Sequence, residues 1–309
     1  MSKPLVAHLC MFGACAGWGL MAPLGKDAMT HGVTGIDMVA FRVVGAGILF
    51  WITSAFTKKE HVESRDKLLF IFAALFGLVL NQCCFTIGLS MTSPINASIV
   101  TTSMPIFAMI LSAVILKEPI TGKKAVGVLA GCCGALMLIM ASASGTDARS
   151  GETEGDVLCM LAQLSFALYL SLFRNLVRKY SLFTVNKWMF LYASLMVSPL
   201  AMSHVENIQW ADVPVKTWLE SAYVVVVGTY LSYILMMNGQ KTLRPTVVSV
   251  YNYVQPIVSV AVSLAAGMAV FGWGQAFAVA LVFTGVWLVT KSKSRADILR
   301  ERGHGGGSA

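Results

Sequence analysis

The side chains in this sequence that are most able to bind a solute are polar groups set inside long apolar runs. An amide, hydroxyl or indole group that is left unpaired in hydrocarbon is costly, so each of them must face another helix or a watery cavity. Two interpretations stay open: hydrogen bonding between helices, or the lining of a cavity that binds a polar solute. The candidate lining residues are Trp18, Asn81, Gln82, Thr101, Gln163, Tyr169, Tyr230, Tyr233, Asn252, Tyr253 and Gln255.

Ionisable side chains are scarce in the same runs. Arg42 is the only basic residue well inside one, and its burial demands a partner. Asp37, a substrate carboxylate and a buried tyrosine are the alternatives, and we favour a structural role because the depth of Arg42 permits its side chain to reach the interface. No Asp or Glu lies at mid-depth in any run, so we expect no buried-carboxylate relay for protons or sodium.

Motifs of the common enzyme classes are missing. The sequence holds no HExxH, no GxSxG and no phosphate-binding loop. Its seven cysteines show no CxxC spacing, and the adjacent residues Cys83 and Cys84 point to different faces of a helix. We therefore expect a protein that is not an enzyme and that uses no cofactor and no metal.

The composition is that of a membrane protein. Of the 309 residues, 56% are hydrophobic and 12% are charged, against about 25% charged in a typical soluble domain. Ten apolar runs are long enough to cross a bilayer, which predicts an all-α integral membrane protein with ten transmembrane helices. The approximate limits are 4–25, 35–57, 67–88, 94–116, 122–141, 156–177, 184–203, 217–238, 245–267 and 271–290. The first run is read as a helix and not as a cleavable signal peptide.

Lysine and arginine are distributed very unevenly between alternate loops. With ten spans, one side of the membrane receives both termini and four loops, which together hold 19 of the 23 basic residues, whereas the other side holds three. By the positive-inside rule, both termini are predicted to lie in the cytoplasm. The net charge of +8 is a consequence of this asymmetry, so we expect no nucleic-acid partner.

The chain repeats itself at an offset of 151 residues. Pro94 and Pro105 in the fourth run align with Pro245 and Pro256 in the ninth. Each half holds five runs, an odd number, so the second half must enter the membrane inverted, which places a binding site between the halves. The predicted units are 1–141, the first repeat; 142–155, an external linker; 156–290, the inverted repeat; and 291–309, a basic cytoplasmic tail.

Pro105 and Pro256 fall near the middle of their runs. A proline inside a helix removes one backbone donor and frees the carbonyl four residues earlier, at Thr101 and Asn252. One interpretation is a fixed kink that serves packing. The other is a point where the helix bends beside a cavity.

A family resemblance rests on several of these residues. They are the Trp18 and Gly19 pair, the Phe41 and Arg42 pair, the segment from Pro105 through Glu118, and the glycines Gly127, Gly131 and Gly134. Over residues 5–290 the pattern resembles EamA-type members of the drug/metabolite transporter superfamily. The second half has Ala269 where the first has Glu118, which argues against a role that needs two symmetric carboxylates.

The resemblance implies export of small metabolites across the cytoplasmic membrane by alternating access through a cavity between the halves. Several basic cavity residues would suit a phosphorylated substrate, and this sequence offers only Arg42 at depth. A small neutral or zwitterionic solute, such as an amino acid, fits better. The alternative is a membrane receptor or scaffold that binds a small ligand or lipid without moving it. As partners we expect a small-molecule substrate and the bilayer, with the chain a monomer or weak dimer.

Overall fold

The computed structural model describes residues 3–92, 94–142, 153–205, 210, 213–265, 273–293 and 297. Regular structure within these ranges is entirely helical. The predicted linker 142–155 and tail 291–309 fall largely outside the described residues. The α-helices are α1 (Lys3–Thr30), α2 (Gly35–Ala40), α3 (Ala46–Ala55), α4 (Ser64–Ala74), α5 (Asn81–Met91), α6 (Pro94–Thr101), α7 (Met104–Ile115), α8 (Gly122–Ser142), α9 (Thr153–Leu172), α10 (Arg174–Lys179), α11 (Leu182–Val205), α12 (Val215–Val225), α13 (Ser232–Thr242), α14 (Pro245–Val250), α15 (Val254–Ala265) and α16 (Trp273–Thr290).

Eight stretches in the described part of the chain are long and apolar enough to cross a membrane. They are Pro4–Thr30, Gly35–Ala55, Ser64–Met91, Ala97–Ile115, Gly122–Met140, Thr153–Leu172, Val215–Thr242 and Trp273–Thr290. The chain is thus a multi-pass membrane protein whose described part is all helical. The remaining two predicted runs lie on α11 and on α14 with α15. Ten crossings and the placement of the termini stay predictions.

Three of the long helices contain a π-helical turn, in which the backbone widens by one residue. These turns are Phe41–Gly45, Leu75–Leu80 and Val226–Leu231, and the last two are separated by the repeat offset of 151 residues. Turns of this kind occur often at functional sites. In the third, the Thr229 hydroxyl donates to the carbonyl of Val224, five residues earlier, at 2.8 Å.

The fourth predicted run is two helices instead of one kinked helix. Helix α6 ends at Thr101, α7 begins at Met104, and Pro105 is the second residue of α7. In the ninth run, a 3₁₀ turn at Tyr251–Tyr253 precedes α15, whose third residue is Pro256. Proline is favoured in the first turn of a helix, where its missing N–H has no helical partner to lose. Both prolines therefore start a helix after a break, and the expectation of a proline inside one continuous helix is corrected.

The two predicted halves interlock. Helix α1 packs on α13 and α9 packs on α5, so the first helix of each half lies against a helix of the other half. Helices α8 and α16 also pack together, and a Cβ at Gly285 would come within 2.6 Å of the backbone N of Gly131. Such backbone contact requires glycine. The largest apolar core joins both halves through buried side chains that include Phe50, Tyr169 and Phe190.

Candidate functional site

A cavity lies between helices of both predicted halves. It encloses about 590 Å³ of empty space, including the part that opens to the surroundings. Sites for small molecules combine apolar walls with a few polar groups, as this lining does. The lining residues are Trp18, Met21, Arg42, Asn81, Gln82, Phe85, Thr101, Gln163, Phe166, Tyr233, Asn252 and Gln255.

Eight of the eleven candidate residues lie around this cavity. The five amide side chains enter it from α5, α9, the 3₁₀ turn and α15, so residues that are more than 150 positions apart in the chain converge. Thr101 contributes from the last residue of α6, beside the break that precedes Pro105. Trp18 and Tyr233 complete the set: Trp18, Asn81, Gln82, Thr101, Gln163, Tyr233, Asn252 and Gln255.

The other three candidates are tyrosines that the structure places elsewhere. The Tyr169 hydroxyl donates to Oε1 of Gln240 at 3.2 Å. The Tyr253 hydroxyl lies 3.2 Å from the carbonyl of Val128, to which it donates. The ring of Tyr230 packs on Phe50. These contacts hold helices together. For these three residues the structure thus favours helix packing, the first of the two interpretations that the sequence left open.

Three apolar lining residues were missed from the sequence: Met21, Phe85 and Phe166. An apolar residue in an apolar run looks the same whether it faces lipid or a cavity. Helical spacing could have identified them, because Met21 follows Trp18 by three positions, and Phe85 and Phe166 follow Gln82 and Gln163 by the same interval. Residues three apart lie on one helix face.

Hydrogen bonds hold the amide groups in defined orientations. Nε2 of Gln82 donates to the Tyr233 hydroxyl at 3.2 Å, and that hydroxyl lies 3.3 Å from the carbonyl of Gly77, to which it donates. The Gln255 amide donates to Oδ1 of Asn252 at 3.2 Å. Within the described residues, Oε1 of Gln82 is buried without a hydrogen-bond partner. A buried acceptor in this state can bind a donor from a ligand.

The indole of Trp18 and the amide of Asn81 are fixed by backbone carbonyls. Nε1 of Trp18 donates to Gly228, within the π-helical turn of the eighth run, at 2.9 Å. Nδ2 of Asn81 donates to Ala162 on α9 at 3.0 Å. The ring of Trp18 meets the rings of Phe166 and Tyr233 edge to face, at centroid distances of 6.4 and 6.1 Å. The cavity thus has an ordered aromatic wall.

Arg42 lies in the wall of the cavity and is 5% exposed. Its Nε donates to the hydroxyl of Thr229 at 3.1 Å, and Nη1 donates to the hydroxyl of Thr86 at 3.4 Å. Asp37, one of the expected partners, instead caps its own helix, because Oδ2 accepts from the backbone N and the hydroxyl of Thr34 at 2.9 and 2.6 Å. The Asp37 partnership is therefore wrong, and Arg42 faces the cavity.

The described ranges contain no cluster of three or more His, Cys, Asp and Glu side chains that could hold a metal ion. All seven cysteines are free thiols, of which Cys15 and Cys159 are buried.

A second polar cluster surrounds Glu118, which is 7% exposed. Its carboxylate lies 3.6 Å from Nζ of Lys124, 3.4 Å from Nη1 of Arg174 and 3.8 Å from Nη1 of Arg244. We call these four residues the Glu118 cluster. Burial lowers the pKa of Arg244, and the negative charge of Glu118 acts in the opposite direction.

Local backbone geometry directs Glu118 inward. Lys117 takes a left-handed conformation with φ of 52°, which turns the chain after α7. The backbone N of Glu118 then donates to the carbonyl of Ser112 at 3.2 Å, which folds the chain back onto the end of α7. Across the cluster, Nη2 of Arg244 donates to the carbonyl of Ser292, just beyond α16, at 2.8 Å. The cluster thus connects the ends of several helices.

Comparisons with known proteins agree on a transporter fold. The model of the EamA-like transporter family matches residues 5–140 and 153–291. The uncharacterized transporter YetK of Bacillus subtilis is 22% identical over 302 residues, which cover 96% of this chain and 90% of YetK. The uncharacterized transporter YyaM of the same organism is 21% identical, with 81% of this chain and 78% of YyaM covered.

Two further similarities extend across nearly the whole chain. A WAT1-related protein of Arabidopsis thaliana is 24% identical and covers 98% of this chain and 82% of its own length. One solved crystal structure superposes with a TM-score of 0.70 at 17% identity, covering 93% of this chain and 98% of that one. At that identity, the superposition indicates a shared fold.

Proposed function

The chain belongs to the EamA-like transporter family, and we propose that it exports small neutral or zwitterionic metabolites, such as amino acids, by alternating access through the cavity. One observation carries the substrate proposal: five amide side chains, a threonine and an aromatic wall converge on a single cavity. Apart from Arg42 and the indole of Trp18, the polar lining groups are amides and hydroxyls, which donate and accept hydrogen bonds without a net charge and suit a neutral or zwitterionic solute.

The positions of the repeat support a cavity between two related halves. Three hydrogen bonds join residues exactly one offset apart: Gln82 with Tyr233, Ser194 with Val43, and Tyr253 with Thr102. Suppose that a two-fold axis relates each residue to the one 151 positions later. A residue that contacts its symmetry equivalent must then lie beside that axis. Since Gln82 and Tyr233 also line the cavity, the cavity would lie on the axis, where an inverted repeat places its substrate site.

Helix breaks beside the cavity offer places for movement. Thr101, next to the break between α6 and α7, lines the cavity, and so does Asn252 within the 3₁₀ turn before α15. We propose that these matched breaks bend as the two halves rock. The adjacent prolines keep the breaks from joining into a continuous helix.

The Glu118 cluster would close the cytoplasmic side. Under the predicted topology, Glu118 follows the fourth span in a cytoplasmic loop, and Arg174 and Arg244 belong to the second half of the chain. Their ion pairs with Glu118 therefore connect the two halves on that side. Opening toward the cytoplasm would break them. We further propose the cytoplasmic membrane as the location, both termini inside, and a monomer or weak dimer as the working unit.

Transport by the purified protein in sealed vesicles tests this function. A panel of radiolabelled amino acids, nucleosides and cationic dyes would be offered to proteoliposomes and to empty liposomes. We expect at least one amino acid to enter the proteoliposomes faster, with counterflow when unlabelled solute is present inside. A receptor or scaffold, the alternative function, would bind a solute without counterflow. A panel in which nothing moves faster than in empty liposomes would contradict the transporter proposal.

A further inference from the structure

Arg42 is a buried cation in the cavity wall, and the neutral amide groups of the cavity do not balance its charge. A guanidinium carries five N–H donors. The hydroxyls of Thr229 and Thr86 accept two of them, at 3.1 and 3.4 Å. Among the described residues, no hydrogen bond uses the other three, and they belong to Nη1 and Nη2, the outer end of the side chain.

The charge of Arg42 has no counterpart in the described lining of the cavity. The described lining residues include no Asp and no Glu, and the ion pairs of the described residues do not involve Arg42. A cation at membrane depth requires an anion or water nearby. The planar guanidinium fits one carboxylate especially well, because two parallel N–H groups meet its two oxygens.

Thr229 positions Arg42 for such a contact. The Thr229 hydroxyl donates its own proton to the carbonyl of Val224 at 2.8 Å, so it can only accept from Nε of Arg42. That bond fixes the inner edge of the guanidinium and leaves the outer edge for a ligand. Thr229 lies in the π-helical turn Val226–Leu231, so the contact with Arg42 comes from the widened part of this helix.

We propose that Arg42 binds a carboxylate group of the substrate, so that the cavity selects solutes that carry one. This inference rests on the proposed transport function and narrows its substrate class. The apolar part of the solute would lie against the rings of Trp18 and Phe166, which meet edge to face in the same cavity. A single guanidinium balances a single carboxylate, which favours amino acids with one carboxylate over solutes without one and over solutes with two negative charges.

Binding of matched pairs to the wild-type protein gives the first test. The common amino acids would be compared with their carboxamides through ligand-induced thermal stabilisation of the purified protein in detergent. We expect the preferred carboxylate to bind roughly tenfold more tightly, or better, than its amide, as charge-assisted hydrogen bonds predict. Equal affinity within the pairs that bind would overturn the role of Arg42.

Substitutions in the same assay separate charge from packing. Arg42→Gln should abolish the preference while the amide still binds, which also shows that the variant folds. Arg42→Lys should retain part of the preference, and Thr229→Val should weaken carboxylate binding a few-fold by releasing Nε. Arg178→Gln is the matched control, because Arg178 is exposed and bonds to the carbonyl of Thr242 away from the cavity.

A preference for the carboxylate that is unchanged in Arg42→Gln would contradict the proposal. Should that variant fail to fold, the wild-type pairs alone decide.

The two proposals fail in different ways. If vesicles transport solutes with no preference for a carboxylate, Arg42 has a structural role and the transport function stands. If the panel neither binds nor moves, the transport function falls, and the carboxylate site with it.

Discussion

At the residue scale, polarity alone identified most of the cavity. Asn81, Gln82, Gln163, Asn252 and Gln255 stand out because an amide is costly in hydrocarbon, and all five line the cavity. The tyrosines were harder to place. Their hydroxyls can bond to a carbonyl of a neighbouring helix as well as to a solute, and Tyr169 and Tyr253 are buried in helix contacts. Sequence cannot distinguish these two uses.

Replacing an amide side chain of the cavity should slow transport more than replacing an amide side chain elsewhere. Asn252→Ala removes a group that lines the cavity and accepts from Gln255, so we expect transport to fall about tenfold or more with insertion unchanged. Uptake into proteoliposomes measures the rate. Asn238→Ala is the control, because its amide bonds within its own helix to the carbonyl of Ile234. Equal rates in the two variants would remove Asn252 from the substrate path.

The Tyr233 hydroxyl connects two hydrogen bonds of the site. Tyr233→Phe leaves Nε2 of Gln82 without its acceptor and the carbonyl of Gly77 without that donor. We expect a loss of about 1–3 kcal/mol in the free energy of unfolding and weaker substrate binding. Thermal unfolding and transport KM are the readouts. A variant with wild-type values of both would show that this bond contributes little.

At the element scale, the sequence predicted where helices lie better than where they break. The run 94–116 carries three polar residues, Thr101, Thr102 and Ser103, where the structure turns at residues 102 and 103, but such residues also occur inside continuous membrane helices. Pro105 was the other local signal, and it is compatible with a kink as well as with a new helix. The π-helical turns were not predicted, because hydropathy does not report the register of backbone hydrogen bonds.

The prolines after the two breaks should affect movement more than binding. Ala at position 105 or 256 restores a backbone donor and favours a continuous helix through the break. We expect Pro105→Ala and Pro256→Ala to slow transport several-fold while substrate affinity changes little. Pro199→Ala, within α11, is the control, since Pro199 does not line the cavity. Transport at the wild-type rate in both variants would indicate that the breaks are static.

The Glu118 cluster should stabilise one state of the protein. Glu118→Gln leaves Lys124, Arg174 and Arg244 without their shared anion. Loss of one partner of a buried ion pair typically costs about 3–5 kcal/mol, so the melting temperature should fall by several degrees. Glu63→Gln is the control, because its ion pair with Lys179 is largely exposed. If both variants melt alike, the Glu118 cluster carries no special stability.

At the scale of the whole molecule, composition and family resemblance were the strongest guides. A chain with 12% charged residues and long apolar runs is a membrane protein, and the EamA-like family membership agrees with the motifs around Pro105 and Glu118. The interlocking of the halves, with α1 on α13 and α5 on α9, could not be predicted, because periodicity does not say which helix a face will meet. Five-helix repeats in opposite orientations, and the alternation of access that they imply, stay predictions.

The central claim is that the cavity opens to each side of the membrane in turn. Thr101→Cys would be introduced into a protein whose seven native cysteines have been replaced. Membrane-impermeant thiol reagents would then be added either outside or inside vesicles in which the protein has one orientation. The account predicts labelling from both sides, with protection by a transported substrate from either side. Labelling from one side only, under every condition including active transport, would contradict it.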